Sequence, residues 1–470
     1  MRNTDAGNVS RRTWLQGAAA GMLGLPLLQH LARAESPQFQ LGTFSVDITV
    51  PLGHPLCGGW IKPAEAIEDP LQGLGIILVG ADKPIVLMVL DWCELNNEAN
   101  RLWREAIARA VGTDPEHVAV QCVHPHNAPL ADVATEKLLQ ERFNIQQGLD
   151  LKFFEELVEK VEATAKEGLT RLQPVTHIGL GKAEVQQVAS NRRIIGADGK
   201  IRIWRGSATK DAAAKAEPEG LIDPWLRTIS FWNGEQGLAA LSYYATHPMS
   251  YYGDGRVTPD FAGLARMQRQ QELPGVFQMY FNGCGGNVAP GKYNDGSKEA
   301  RVALRDRIHT AMTQAWESTV KHPLTKCVWK NRPVQLDLRR EPEFQEEFLR
   351  KQLAGAELKD GQIEGGTGHA AMRLAWLSRR ARPIDLSCLD LGVAQILHLP
   401  GEPFVEYQLF AQSRKPEGFV CVAGYGDGGP GYIPIASAYP EGGYETGTVA
   451  YTGPGSEEVL KAGIADLLES

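Results

Sequence analysis

The chain predicts an α/β fold, with central mixed β-sheets flanked by helices in a single large domain. Strand-length apolar runs at residues 74–90 are followed by helical periodicity over 97–111 and a further strand-like run at 117–121. That is the order expected when strands are joined through a covering helix. Asn233-Gly234 lies between two more strand-like runs, 226–232 and 237–245, and is the strongest hairpin signal in the sequence. No internal repeat and no linker divides the 470 residues, of which 43% are hydrophobic and 22% charged. Such a chain builds a large core and is not disordered.

From the N-terminus, Ser10-Arg11-Arg12-Thr13-Trp14-Leu15 precedes an apolar Ala/Gly-rich run from Gly17 to Leu28 and then Ala32-Arg33-Ala34. This reads as a twin-arginine export signal, residues 1–34, cut after Ala34. The run is short for a membrane span and is broken by Gly21, Gly24 and Pro26. The mature chain, residues 35–470, is therefore expected to be periplasmic or secreted, with no transmembrane span. Residues 44–50 alternate as a strand, and 74–90 form two strands joined by Ala81-Asp82-Lys83-Pro84. The helix at 97–111 sets Leu102, Ile107 and Val111 on one side, and 151–169 is a second amphipathic helix. Residues 175–185 return to strand, the hairpin follows, and a strand at 276–281 leads into a glycine-rich run, Asn282 to Gly291. Helices are expected at 299–320 and 342–357, a polar glycine-rich loop at 361–368, a helix over 370–381 and a strand from Ala394. The stretch 424–455 is dominated by Gly, Pro and Tyr, and an irregular segment of that length in a compact protein is expected to be functional.

The formal charge is −8, and without residues 1–34 it becomes −11, with 44 basic against 55 acidic side chains. That balance excludes a nucleic-acid partner. The seven cysteines are scattered, with neither zinc-finger nor disulfide-framework spacing, so buried free thiols are the expectation. A purely structural zinc, which is usually closed by a Cys-rich tetrad, is excluded on the same ground.

The chemistry points to a metal. His124-Pro125-His126 follows the run at 117–121, His247 follows the run at 237–245, and Glu402 follows the run from Ala394. A ligand at a strand end is held stiffly while its tip faces a cleft. Two neutral imidazoles and one carboxylate leave a zinc ion positively charged with an open position, where the pKa of a water drops to about 7.

Five motifs then carry a family resemblance. Asp47-Ile48-Thr49, His124-Pro125-His126-Asn127-Ala128-Pro129, Ala245-Thr246-His247-Pro248, Pro400-Gly401-Glu402 and Gly431-Tyr432-Ile433 resemble, in this order, segments of the zinc-dependent N-terminal catalytic domain of neutral/alkaline ceramidases. The resemblance runs over roughly residues 43–455, with no equivalent of that family's C-terminal immunoglobulin-like domain after it. It implies one Zn2+ per chain held by His124, His247, Glu402 and Tyr432, with His126 beside the metal stabilising the reacting oxygen. Asn191-Arg192 resembles the dipeptide whose arginine binds near the scissile carbonyl, and Arg193 is an equal candidate.

The stretch corresponding to the family's serine segment is Thr258-Pro259-Asp260-Phe261-Ala262-Gly263, with threonine in place of serine. Two nucleophiles stay open: zinc-activated water, with Thr258 or Asp260 orienting it, or the Thr258 hydroxyl itself. The Asn282 to Gly291 run is either an anion- or metal-facing turn or a tight loop packed under the zinc site, with Cys284 a remote nucleophile. Gly53 to Gly59 is either a rim loop or a second metal site. The function these expectations describe is a zinc-dependent hydrolase of an amide (N-acyl) or related carbonyl bond in a small-molecule or lipid-like substrate. The alternative is a secreted zinc- or ligand-binding protein without turnover.

Overall fold

Three mixed sheets carry the fold, and each contains a single parallel pair of strands. A computed structural model describes residues 38–359 and 363–470; the expected export signal and residues 360–362 of the expected glycine-rich loop lie outside the described residues. The first sheet runs Val118–Cys122, Ile85–Leu90, Gln72–Val79, Phe39–Asp47, Gln173–Val175, and only its first two strands are parallel. The second runs Phe277–Asn282, Gln236–Tyr244, Trp225–Asn233, His177–Glu184, Val320–Pro323, again with only the first two parallel. The third runs Val328–Val334, Ile384–Asp390, Ala394–His398, Phe419–Ala423, where only the last two are parallel.

Parallel neighbours need a crossover, and in each case it is a helix: Glu98–Val111, Asp260–Glu272 and Val405–Ser413. The fold thus places one βαβ unit at an edge of each sheet. Strands in such units are covered on both faces and read as unbroken apolar runs, as Ile85–Leu90 does, with all six residues buried. The first crossover helix buries Trp103, Ile107 and Val111 and stops where Gly112 turns left-handed. Helix Leu151–Gly168 starts where the Asp150 carboxylate accepts the Phe153 N–H. One hydrophobic core joins the units, with Leu87, Leu241, Met279, Ile396 and Cys421 among its members.

The α/β architecture with mixed sheets and flanking helices is thus observed, and the described residues fall in one compact unit. The strand expected at 175–185 is shared between two sheets: Val175 pairs with Phe39 in the first, and His177–Glu184 belongs to the second. The helix expected over 342–357 is a short turn, Pro342–Phe344, followed by Glu346–Gly355. The glycine-rich loop is shorter than expected, because helix Gly365–Ser378 begins inside it. There the apolar residues from Ala370 onward bury against Leu349 and Leu353, and that packing outweighs the low helix propensity of glycine. A closing helix, Ser456–Glu469, lies beyond the segments expected from sequence. Among the described residues no helix is long and apolar enough to cross a membrane.

Candidate metal centre

The carboxyl ends of all three parallel pairs point to one place. Residues leaving the first pair supply Cys93, Glu94, His124 and His126; those leaving the second supply His247; those leaving the third supply Glu402 and Tyr432. Crevices at the carboxyl ends of parallel strands are where α/β sheets bind ligands.

His124 sits in the left-handed region, φ +76, immediately before Pro125. A residue before proline is normally extended, so this backbone is strained, at a cost of about 1–3 kcal/mol. The strain is held by His124 N–H donating to Trp92 O at 3.0 Å and by Nδ1–H donating to Cys93 O at 2.8 Å. His247 is fixed in the same way, with N–H on Val288 O at 2.9 Å and Nδ1–H on Gly285 O at 2.7 Å. Carbonyl oxygens only accept, so both imidazoles carry their proton on Nδ1 and aim the Nε2 lone pair inward. Glu402 enters on a two-residue parallel ladder that pairs it with Tyr432. Its Oε2 lies 3.3 Å from His124 Nε2 and 3.1 Å from His247 Nε2.

Two imidazole nitrogens and a carboxylate oxygen therefore crowd together, and Glu402 Oε2 is buried without a hydrogen-bond donor. An orphaned buried acceptor is expensive, and a divalent cation would satisfy all three atoms together. The residues fit a metal. Among the described residues, one of the two clusters with metal-ligand spacing is His124, His247 and Glu402, all buried. The electrostatics agree. Burial alone would lower the His124 pKa, but the Glu402 and Glu94 carboxylates push it up to about 9. Burial likewise works against ionised Glu402, yet the two imidazoles hold it well below the ordinary carboxylate range. Without a metal the cluster takes up a proton instead.

The phenol of Tyr432 donates to His247 Nε2 at 3.1 Å and accepts from Arg192 Nη1 at 3.1 Å. Burial and the Glu402 charge raise its pKa far above the usual value while Arg192 pulls the other way. Arg192 is itself buried, 3.2 Å from Glu445 and stacked over Trp204 at 4.9 Å. Arg193, the equal candidate in sequence, instead clamps Glu441 and Glu445 and does not reach the cluster. His126 Nε2 lies 3.2 Å from His124 Nε2, and burial together with His124 lowers its pKa well below the usual value. It is a neutral imidazole beside the cluster.

Thr258 and Asp260 are not brought to this cluster. The Thr258 hydroxyl donates to Asp69 Oδ2 at 2.8 Å and accepts from Arg301 and from Asp260 N–H. The Asp260 carboxylate caps Ser250 N–H at 2.8 Å and Phe261 N–H at 2.6 Å. Both residues fasten the loop after His247 to the helix at Asp260–Glu272. Sequence distance hides this, because the partners Asp69 and Arg301 come from remote segments.

The glycine run after Phe277–Asn282 is the packing loop. A Cβ on Gly286 would lie 2.4 Å from Glu402 O, so glycine lets this backbone pass directly beneath the ligand. Its carbonyls hold His247 and Arg192, and Cys284 is a buried free thiol, as are the other six cysteines.

A cavity of about 80 Å³ opens beside the cluster, lined by His124, His126, Glu402 and Tyr432 together with Cys57, Cys93, Glu94, Tyr252, His369 and Tyr444. Of these last six, Cys57 lies in the Gly53 to Gly59 run and Tyr444 in the stretch 424–455, whereas Cys93, Glu94, Tyr252 and His369 carry no motif, and His369 stands on helix Gly365–Ser378. Glu94 is buried, accepts from Asn96 Nδ2 at 2.9 Å, and is pushed up to about 8 by burial and by Glu402.

In fold the chain is similar to the neutral ceramidase from Pseudomonas aeruginosa, with a TM-score of 0.66 and 18% identity over 92% of this chain and 74% of that one. It is also similar to a ceramidase complexed with C2, with a TM-score of 0.65 and 16% identity over 92% and 75% of the two chains. No protein-family model matches the sequence, and no curated protein does. The described residues have a ceramidase-like fold.

Proposed function

We propose that the chain is an exported zinc-dependent hydrolase that cleaves an N-acyl amide or a related carbonyl bond in a small or lipid-like substrate. The observation that carries this reading is the convergence of His124 Nε2, His247 Nε2 and Glu402 Oε2, the last buried without a hydrogen-bond donor. The two ceramidase structures that resemble the fold support the bond type. Zinc held by His124, His247 and Glu402, with Tyr432 as a weak fourth donor, supplies a Lewis acid and an acidified water.

The chain's own residues do the rest. Arg192, buried and bonded to Tyr432 Oη, presents positive charge where a carbonyl oxygen would become an oxyanion. His126, neutral at pH 7, accepts or returns a proton at a ring nitrogen as the C–N bond breaks. The cavity is lined by no serine or threonine among the described residues, which favours water over Thr258 as the nucleophile. Thr258 and Asp260 then hold the loop after His247 in place without touching the cluster. In this reading residues 1–34 direct export and residues 35–470 form the catalytic domain.

The same absence of serine and threonine also favours a secreted zinc- or ligand-binding protein without turnover. One experiment separates the two. Elemental analysis of the mature protein should give about one zinc per chain, lost in His124→Ala and in Glu402→Ala, and only the zinc-loaded wild type should release acyl groups from a panel of N-acyl substrates. Zinc without turnover leaves the binding protein. No metal in any preparation, even after zinc is added, sinks the hydrolase and leaves a ligand-binding protein.

A further inference from the structure

We propose that the centre acts on short N-acyl groups, acetyl or propionyl, and that a wall of Trp60, Leu130 and Met372 sets this limit by closing the inner end of the cavity. The inference rests on the hydrolase reading and names its substrate class. The cavity holds about 80 Å³, under three water volumes at about 30 Å³ each, and is far smaller than a cavity of roughly 150 Å³ that takes benzene. A reacting carbonyl, the water that attacks it and one or two further carbons fill such a space. An alkyl chain of lipid length does not fit.

The two ends of the cavity differ. Tyr252 and Tyr444 are the most exposed of its lining residues, at 44% and 49%, and mark the mouth. Leu130, Met372 and Val449, also in the lining, are buried. An acyl tail is stabilised by entering the apolar end, which leaves the amine side of the scissile bond to face the mouth. The leaving group can therefore be large, whereas the acyl group cannot.

The wall is held from several elements, and there is space beyond it. Trp60, Leu130 and Met372 also line a separate cavity of about 20 Å³, together with Leu139 and Leu149. Trp60 is stacked on His369 with ring centroids 4.7 Å apart. Leu130 stands on the short ladder that pairs Leu130–Ala131 with Glu94–Leu95. Met372 comes from helix Gly365–Ser378, and its sulfur accepts from the Tyr451 hydroxyl at 3.8 Å. Of the three, methionine is the member that can yield, because its unbranched thioether adapts to irregular gaps. Truncating it joins the two spaces. One methylene more or less in an apolar pocket is worth roughly 10- to 200-fold in discrimination, so the length limit should be steep.

The test uses the zinc-loaded mature protein and straight-chain hydroxamates from acetohydroxamate to octanohydroxamate, whose heads chelate the metal while their tails probe the cavity. Calorimetry reads each Kd without turnover. Acetohydroxamate or propionohydroxamate should bind most tightly, with affinity at least about 10-fold weaker for hexanohydroxamate. In N-acyl anilides of the same chain lengths, kcat/KM should follow the same ranking. Met372→Ala should move both preferences to longer chains. Wild-type affinity that stays level or rises toward octanohydroxamate overturns this inference and leaves the hydrolase reading standing. A protein that takes up no zinc, or takes it up and cleaves no anilide, overturns both. The wild-type series needs no substitution, so a misfolded Met372→Ala does not decide the matter. A folded Met372→Ala with an unchanged length profile overturns the wall.

Discussion

Around Arg301 one guanidinium meets Glu68, Asp69, the Tyr251 hydroxyl and the Thr258 hydroxyl. Around Glu402 two imidazole lone pairs and a carboxylate oxygen meet, and no guanidinium bonds them. Both clusters hold buried polar groups, and both flank the loop that follows His247. The first supplies its own cation, and both terminal nitrogens of that guanidinium are bonded, so it stands as a scaffold. The second lacks a positive partner, and a buried charge persists only when paired or bound to a metal. What separates structure from function in this molecule is therefore the balance of donors and acceptors, together with the deeper burial of the second cluster.

The comparison breaks most severely if a ligand changes. Glu402→Gln keeps the shape and removes the charge; metal affinity should fall by more than ~100-fold, beyond the range seen on losing an outer-shell partner, with turnover lost alongside. Equilibrium dialysis against zinc reads it, and unchanged affinity would remove Glu402 from the centre. Next, Arg301→Met leaves Asp69, Glu68 and Asp260 without their cation. The expected loss is about 3 kcal/mol, low in the range for breaking a buried pair because Glu68 and Asp69 keep some solvent. Denaturant unfolding should show this while the zinc content per folded chain stays the same.

The third expectation concerns pH. His124 in the metal-free protein has its pKa raised to about 9, so below that pH it carries a proton that a metal must expel. Zinc affinity should thus climb about tenfold per pH unit as pH rises toward 9 and level off above it. A chelator competition series across pH checks the slope, and a flat profile from pH 7 upward would contradict it. The smallest effect is expected at Thr258→Val, which should cost about 1–2 kcal/mol through the lost bond to Asp69 and leave kcat unaltered. A fall in kcat by orders of magnitude would restore the threonine as nucleophile.

Much of the scaffold was legible in the sequence. The strands Gln72–Val79 and Ile85–Leu90, the helix Glu98–Val111 and the hairpin closed at Asn233-Gly234 all follow from local periodicity and turn chemistry. So did His124, His247 and Glu402, because each follows an apolar run, whereas Tyr432 and Arg192 were pointed to by the family resemblance alone. The third sheet was only partly legible: Val328–Val334 carries Lys330, Asn331, Arg332 and Pro333 and shows no clean alternation, and Phe419–Ala423 is only five residues long. Thr258 was drawn toward the centre by its spacing from His247, and spacing is blind to an arginine that arrives from another helix. Cys93 and Glu94 bore no motif, since they sit in the short connection after Ile85–Leu90, whereas Cys57 lay in the Gly53 to Gly59 run.

The origin of the three ligands in three separate sheets also bears on how the chain folds. His124, His247 and Glu402 each complete a local βαβ unit that can form early, but the ion's binding site exists only once all three units have docked. Contacts so remote in sequence form late and slowly. Metal capture is then the last step of assembly, and its kinetics would report when the three sheets have come together.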